Sequence, residues 1–91
     1  MPPQLSPERA EILGLEALTW LVGEPEAVEL FLKLSGISGA ELREAAGSPG
    51  LTVAVLDFLL AHEEFLLPFG KQSGTSPALL HQARRALAPE A

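Results

Sequence analysis

Apolar residues recur at helical spacing in several segments of the chain. Between Pro7 and Val22, one stripe consists of Leu13, Ala17, Trp20 and Leu21. Much of the remaining circumference of this segment is also apolar, through Ile12, Leu15, Leu18 and Val22. The segment from Pro49 to Ala61 is likewise apolar on nearly every side. Helices with this pattern lie at the centre of a bundle or at an interface.

Helix-start signals divide the chain into short segments. A proline follows a serine or a glutamate at four places: Ser6-Pro7, Glu24-Pro25, Ser48-Pro49 and Ser76-Pro77. Proline loses nothing at the first helical position, because the N–H that it lacks has no partner there. Ser38 and Glu41 have the spacing of a capping box. Together these signals predict helices over residues 7–22, 25–35, 39–46, 49–61 and 77–87.

The segment after Ala61 has two interpretations. In one, a short fifth helix runs from Glu63 to about Lys71. In the other, the preceding helix continues to Leu67, because Pro68 interrupts a regular helix. In both, residues 70–75 are expected to form a mobile loop.

The predicted fold class is all-α, a single compact orthogonal bundle of five or six short helices. A chain of 91 residues has room for one domain, which we expect over residues 1–91, with terminal segments 1–6 and 88–91 outside the helices. Short connections containing glycine and proline favour sharp corners over a long parallel bundle. The predicted core consists of Trp20, Leu21, Phe31, Leu42, Val55, Phe58, Leu59 and Leu80.

Composition and charge narrow the function classes. Apolar residues make up 47% of the chain, yet no run approaches the roughly 18 uncharged residues of a membrane-spanning helix. The net charge of −6 argues against binding to nucleic acid or to anionic lipid. The N-terminus has no secretion signal, and the absence of cysteine removes disulfides and thiolate metal ligands. A soluble cytoplasmic protein is expected.

The cluster His62-Glu63-Glu64 is the one candidate for chemistry. The zinc-protease pattern requires a second histidine four residues after the first, and Leu66 stands there instead. His81 is too distant in sequence to suggest a metal site by its spacing. The preferred interpretation is that His62 caps the junction between two helices. We therefore predict no catalytic, cofactor-binding or metal-binding residue and no cofactor.

Two further residues have a structural and a functional interpretation. Asp57 interrupts an apolar helix; if it is buried it needs a partner such as Arg43 or Arg84, and if it is exposed it marks the solvent side. The exposed interpretation is preferred, because charged residues are seldom fully buried. Trp20 could anchor an interface, but a tryptophan on an apolar helical stripe is more often part of the core.

The order of several motifs resembles a known family. These are Glu16-Ala-Leu-Thr-Trp20-Leu21, Gly23-Glu24-Pro25-Glu26, Phe31-Leu32, Ser35-Gly36, Leu42-Arg43, Ala46-Gly47-Ser48-Pro49, Val55-Leu-Asp57-Phe-Leu-Leu60 and Ala83-Arg84 after Pro77. The chain resembles the small bacterial proteins of domain of unknown function 3572 over nearly its whole length. Pro68-Phe-Gly-Lys71 departs from the alanines and acidic residues that family members usually have there. The resemblance implies an all-helical bacterial protein and brings no activity or site residue.

The apolar surplus of the two central helices is the one functional indication. Either neighbouring helices cover them, or part of one face meets another chain. We expect a non-enzymatic protein–protein interaction module whose partner is another protein or a second copy in a homodimer. The alternative is a small metal-dependent or acid–base enzyme that uses His62, Glu63 and Glu64.

Overall fold

The computed structural model describes residues 5–87, which form six α-helices and no β-strand. The helices are α1 (Pro7–Val22), α2 (Pro25–Ser35), α3 (Gly39–Glu44), α4 (Pro49–Ala61), α5 (Glu63–Ser73) and α6 (Pro77–Leu87). The prediction of an all-α bundle is confirmed. Residues 1–4 and 88–91, which contain most of the two expected terminal segments, lie outside the described residues; Leu5 packs partly buried against the core and Ser6 caps α1.

Local capping explains most helix starts. The hydroxyl oxygens of Ser6 and Ser48 each accept a hydrogen bond from the backbone N–H three residues later, at 3.2 Å. Ser38 and Glu41 form the complete capping box: the Ser38 hydroxyl accepts from the Glu41 backbone N–H at 3.1 Å, and the Glu41 carboxylate accepts from the Ser38 N–H at 2.9 Å. Glu24 precedes α2 without a side-chain cap, so Pro25 alone marks that start.

His62 separates α4 from α5 and decides between the two interpretations of this segment. In a continuous helix the Phe58 carbonyl would accept the backbone N–H of His62. Here it accepts the Nδ1–H of the His62 imidazole at 2.8 Å, while the His62 backbone N–H donates to Leu59 at 3.1 Å. The imidazole thus replaces a backbone donor, and α4 ends at Ala61. The expectation that His62 caps this junction is confirmed.

The predicted C-terminal end of α5 is wrong. Helix α5 continues through Pro68 to Ser73, so the loop expected over 70–75 is reduced to residues 74–76. Burial of Leu66 and Phe69 on either side of Pro68 holds the segment helical despite the missing N–H. Gly74 ends the helix in the left-handed conformation (φ 73°).

Helix α3 also differs from its prediction, ending at Glu44 rather than at 46. The backbone N–H of Ala46 donates to Arg43 in a tighter turn at 3.3 Å, and Gly47 turns the chain with φ 90°.

The core lies where α1, α4 and α6 pack against one another, with α2 against α1 and α5 against α4 and α1. Every residue of the predicted core except Trp20 is buried. Trp20 is half-buried at the edge of the core, because its indole N–H extends outward to a polar partner. Gly14 of α1 faces Thr52 of α4 so closely that a Cβ atom at Gly14 would overlap with Thr52 Cγ2.

Helices α1 and α4 differ in how far their apolar side chains are covered by the rest of the fold. The large side chains of α4 are buried or half-buried beneath their neighbours. Helix α1 instead leaves Ile12, Leu15 and Val22 exposed, with accessible fractions of 54%, 46% and 50%. None of the helices within residues 5–87 is long and apolar enough to cross a membrane.

Candidate functional site

The contacts of His62 stabilise the junction between α4 and α5. Its ring stacks on Phe58 with centroids 4.5 Å apart, and its Nδ1–H is bound to the Phe58 carbonyl. Glu63 and Glu64 are exposed in the first turn of α5. Within residues 5–87, no group of three His, Cys, Asp or Glu side chains is arranged to hold a metal ion. The three sequence neighbours are therefore not brought together as a metal site.

Asp57 lies on the exposed side of α4, as the preferred interpretation predicted. Arg84 of α6, one of the two arginines considered as partners for a buried Asp57, forms an ion pair with it nonetheless. The Arg84 Nε lies 2.7 Å from Asp57 Oδ1, and the side chains are 26% and 51% accessible respectively. This pair links α4 to α6 at the surface.

The exposed apolar side chains of α1 share one face of the helix. Ile12, Leu15, Thr19 and Val22 follow one another at spacings of three and four residues, which places them along a single line. We call these four residues the α1 ridge. The Thr19 hydroxyl donates to the Leu15 carbonyl at 2.8 Å, so its methyl group is the part left to extend the apolar surface. Single exposed apolar residues are ordinary on a protein surface; here three of them and the Thr19 methyl group share one face of α1.

A groove of about 640 Å³ runs along one side of the ridge, between α1 and α5. We call it the α1–α5 groove; its lining residues are Ile12, Leu15, Glu16, Thr19, Trp20, Gly23, Glu24, Phe69, Gln72 and Ser73. Trp20 meets Phe69 edge to face, with ring centroids 5.8 Å apart. The Trp20 indole N–H donates to Gln72 Oε1 at 3.1 Å, which fixes the ring that lines the groove.

A second groove of about 660 Å³ lies on the other side of the ridge, against α2 and α3. We call it the α1–α3 groove; it is lined by Leu18, Thr19, Val22, Val28, Leu32, Gly39, Leu42, Arg43 and Ala46. Thr19 lines both grooves, so the ridge separates them. Helices pack on one another by placing the side-chain ridges of one into the grooves of the other, and a ridge between two grooves has this shape.

Carboxylates border this surface. Glu8, Glu11 and Glu16 are exposed on α1, and Glu24 is exposed just before α2. Glu16 and Glu24 both line the α1–α5 groove, and none of the described residues that line it is Lys or Arg. The α1–α3 groove includes Arg43. The two grooves therefore differ in charge, and the α1–α5 groove is the acidic one.

Part of this surface is predictable from the sequence. The surplus of apolar residues on α1 was the available signal: of the residues Ile12, Leu15, Leu18 and Val22 outside its main stripe, only Leu18 is buried. Gln72 was missed, because it lies 52 positions from Trp20 and no local pattern connects the two. Trp20 packs against the core and also lines the groove.

Fold and surface together define a small all-α protein with an exposed apolar helix face. Residues 7–90 match the family model described as protein of unknown function DUF3572. The chain belongs to that family, which confirms the resemblance read from the helix-boundary motifs. No curated protein and no solved structure matches the chain.

Proposed function

We propose that this protein is a non-enzymatic interaction module that binds another protein through the α1 ridge and its flanking grooves. The observation that carries the proposal is the line of Ile12, Leu15 and Val22, each about half exposed on a helix that also contributes to the core. Burying an exposed Leu, Ile or Val side chain contributes about 1.5–3 kcal/mol. Covering three half-exposed ones together contributes about half of that for each side chain, and the flanking grooves add further contact area.

The structure favours this function over an enzyme built on His62, Glu63 and Glu64. A general base or acid needs a ring nitrogen that reaches substrate and a partner that orients it. The His62 ring is stacked on Phe58 and donates to a backbone carbonyl, so its contacts support the helix junction. Both glutamates are exposed, and no shared hydrogen bond joins either of them to His62 among the described contacts.

We also propose how the module folds and where in the cell it acts. We infer one cooperative folding unit, because α6 packs against both α1 and α4 across the length of the chain. A single unfolding transition by fluorescence and circular dichroism tests this. We also infer action in the cytoplasm of a bacterial cell, which fits the cysteine-free composition; cell fractionation tests that location.

Site-specific photo-crosslinking in living cells tests the interaction itself. A benzophenone amino acid is placed at Leu15 of the ridge and, as the matched control, at Leu34 of α2, which is 61% exposed and lines neither groove. We expect a discrete crosslinked protein from position 15 and none from position 34. Equal or absent crosslinking at the two positions would remove the ridge from the proposal.

Light scattering over a wide range of concentrations separates the two kinds of partner. A mass that stays at 9.6 kDa while position 15 crosslinks to another protein identifies a heterologous partner. A stable doubled mass that Leu15→Gln abolishes identifies a homodimer through the ridge. A doubled mass unaffected by that change would place self-association on another surface.

A further inference from the structure

Resting on the proposed function, we propose that the α1–α5 groove receives a basic amphipathic helix from the partner protein. Apolar side chains of that helix lie on Ile12 and Leu15 of the α1 ridge. Lysine or arginine side chains beside them enter the groove near Trp20, and Glu16 and Glu24 are their carboxylate partners. The inference names the chemistry of the partner, which the ridge alone does not define.

The lining of the groove supplies both parts of such a recognition site. Ile12 and Leu15 form an apolar wall, and the edge-to-face pair of Trp20 and Phe69 adds aromatic surface. Amphipathic helices bind apolar surfaces of this kind through residues at spacings of three, four and seven. The groove follows α1 from Ile12 to Gly23, which is about 16 Å at 1.5 Å per residue. Three turns of a partner helix cover that length.

Charge determines which amphipathic helix fits. Glu16 and Glu24 are the ionisable side chains of the groove lining, and no lysine or arginine among the described lining residues neutralises them. Both are exposed and lie beside apolar surface. Cationic side chains placed there gain a carboxylate partner at Glu16 or at Glu24, and the indole of Trp20 attracts cations. An acidic helix would instead be repelled.

The same charges disfavour a second copy of this chain as the occupant. A two-fold symmetric contact brings the same patch of both copies together. The patch that carries Glu8, Glu11 and Glu16 of α1 would then lie against an equally acidic patch, with Arg9 the one basic residue on that helix. Two chains with a net charge of −6 each would also approach one another against long-range repulsion. A basic partner has neither disadvantage.

Peptide titration tests the inference on the full chain. The first probe is an amphipathic peptide of about 15 residues, with leucines on one face, flanking arginines and no aromatic residue. The second probe replaces each arginine by glutamate. Trp20 is the sole tryptophan of the chain, so its fluorescence reports binding at the groove. Both probes are titrated into the native protein and three variants whose folding is checked by circular dichroism.

The variants separate groove charge from net charge. Glu16→Gln with Glu24→Gln removes both carboxylates of the groove. Glu26→Gln with Glu29→Gln makes the same change in net charge on exposed positions of α2 that line neither groove. We expect the arginine peptide to bind about tenfold more tightly than the glutamate peptide. The groove variant should weaken the arginine peptide about three- to tenfold, and the α2 variant less than about twofold.

A third variant, Leu15→Gln, distinguishes failure of this inference from failure of the proposed function. If both peptides bind equally well and Leu15→Gln weakens both, the ridge is a docking surface but its partner is not basic, and the inference is overturned. Equal weakening by the groove and α2 variants would also overturn it, because attraction would then come from net charge alone. If Leu15→Gln leaves all binding unchanged, the proposed function loses the ridge as well.

Discussion

Gly14 of α1 lies directly against Thr52 of α4, where a Cβ atom on the glycine would overlap with Thr52 Cγ2. Thr52 is itself buried, and its hydroxyl donates to the Ser48 carbonyl at 3.0 Å, so the side chain cannot move away freely. The pair therefore sets how closely the two central helices approach. Alanine has a higher helix propensity than glycine by about 1 kcal/mol. At position 14 the overlap with Thr52 outweighs that advantage.

Gly14→Ala should therefore lower the free energy of unfolding by about 1–3 kcal/mol, as overpacked core substitutions do. Gly50→Ala in α4 is the control, because no atom lies within 4 Å of a Cβ built there. Adding Thr52→Ser removes the overlapping methyl group and should recover part of the loss. Denaturant unfolding of the single and double variants measures both effects; strictly additive losses would show that the two positions do not touch.

His62→Ala should lower the free energy of unfolding by about 1–3 kcal/mol. The change removes the ring that stacks on Phe58 and leaves the Phe58 carbonyl without the imidazole donor. His81→Ala on the exposed side of α6 is the matched control and should change stability by less than about 0.5 kcal/mol. Thermal or urea unfolding compares the two. Equal effects would mean that the imidazole contributes little to the junction.

Asp57→Asn should destabilise the protein by less than about 1 kcal/mol, because the Asp57 carboxylate of the ion pair with Arg84 is exposed to solvent. The loss should shrink as salt rises from about 0.01 M to 1 M, over which the screening length falls from about 30 Å to 3 Å. Urea unfolding at the two salt concentrations measures it. A large loss that salt does not reduce would indicate that Asp57 stabilises the fold by something other than this surface charge pair.

Ser38→Ala should lower the free energy of unfolding by about 1 kcal/mol, and Ser38→Gly by a few tenths. Helix α3 has six residues, so the two hydrogen bonds of the capping box make up a large share of its stabilisation. Glu41→Gln is the conservative control, because an amide oxygen can still accept from the Ser38 N–H. Hydrogen exchange of the α3 amides provides a local measurement. Unchanged protection in Ser38→Ala would show that packing of Leu42 alone holds the helix.

The sequence predicted the fold best where the determinants are local. The bounds of α1, α2, α4 and α6 are confirmed, because serine caps and first-turn prolines act on neighbouring backbone groups. Pro68 misled for the same reason: its local effect is to break a helix, but burial of Leu66 and Phe69 outweighs it. Helix propensity determines the conformation of a segment only where tertiary contacts do not outweigh it.

The candidate surface required the structure. Hydropathy showed that α1 and α4 have more apolar surface than a small bundle easily covers, but not which of them stays exposed. The answer depends on where α5 and α6 pack, which is set by contacts between distant parts of the chain. The acidic groove depends on the same packing, since Glu16 and Gln72 meet there only in the folded protein.

Helix α6 completes the core against α1 and α4, although residues 77–87 are separated from α1 by more than half of the chain. During synthesis, the ribosome must therefore release the apolar sides of α1 and α4 before the helix that covers them has been made. Until then the nascent chain lacks one of the three helices that enclose its core, in which Val55 and Leu56 are fully buried once folding is complete. Because α6 is translated after α1 and α4, the complete core can form only once α6 has left the ribosome.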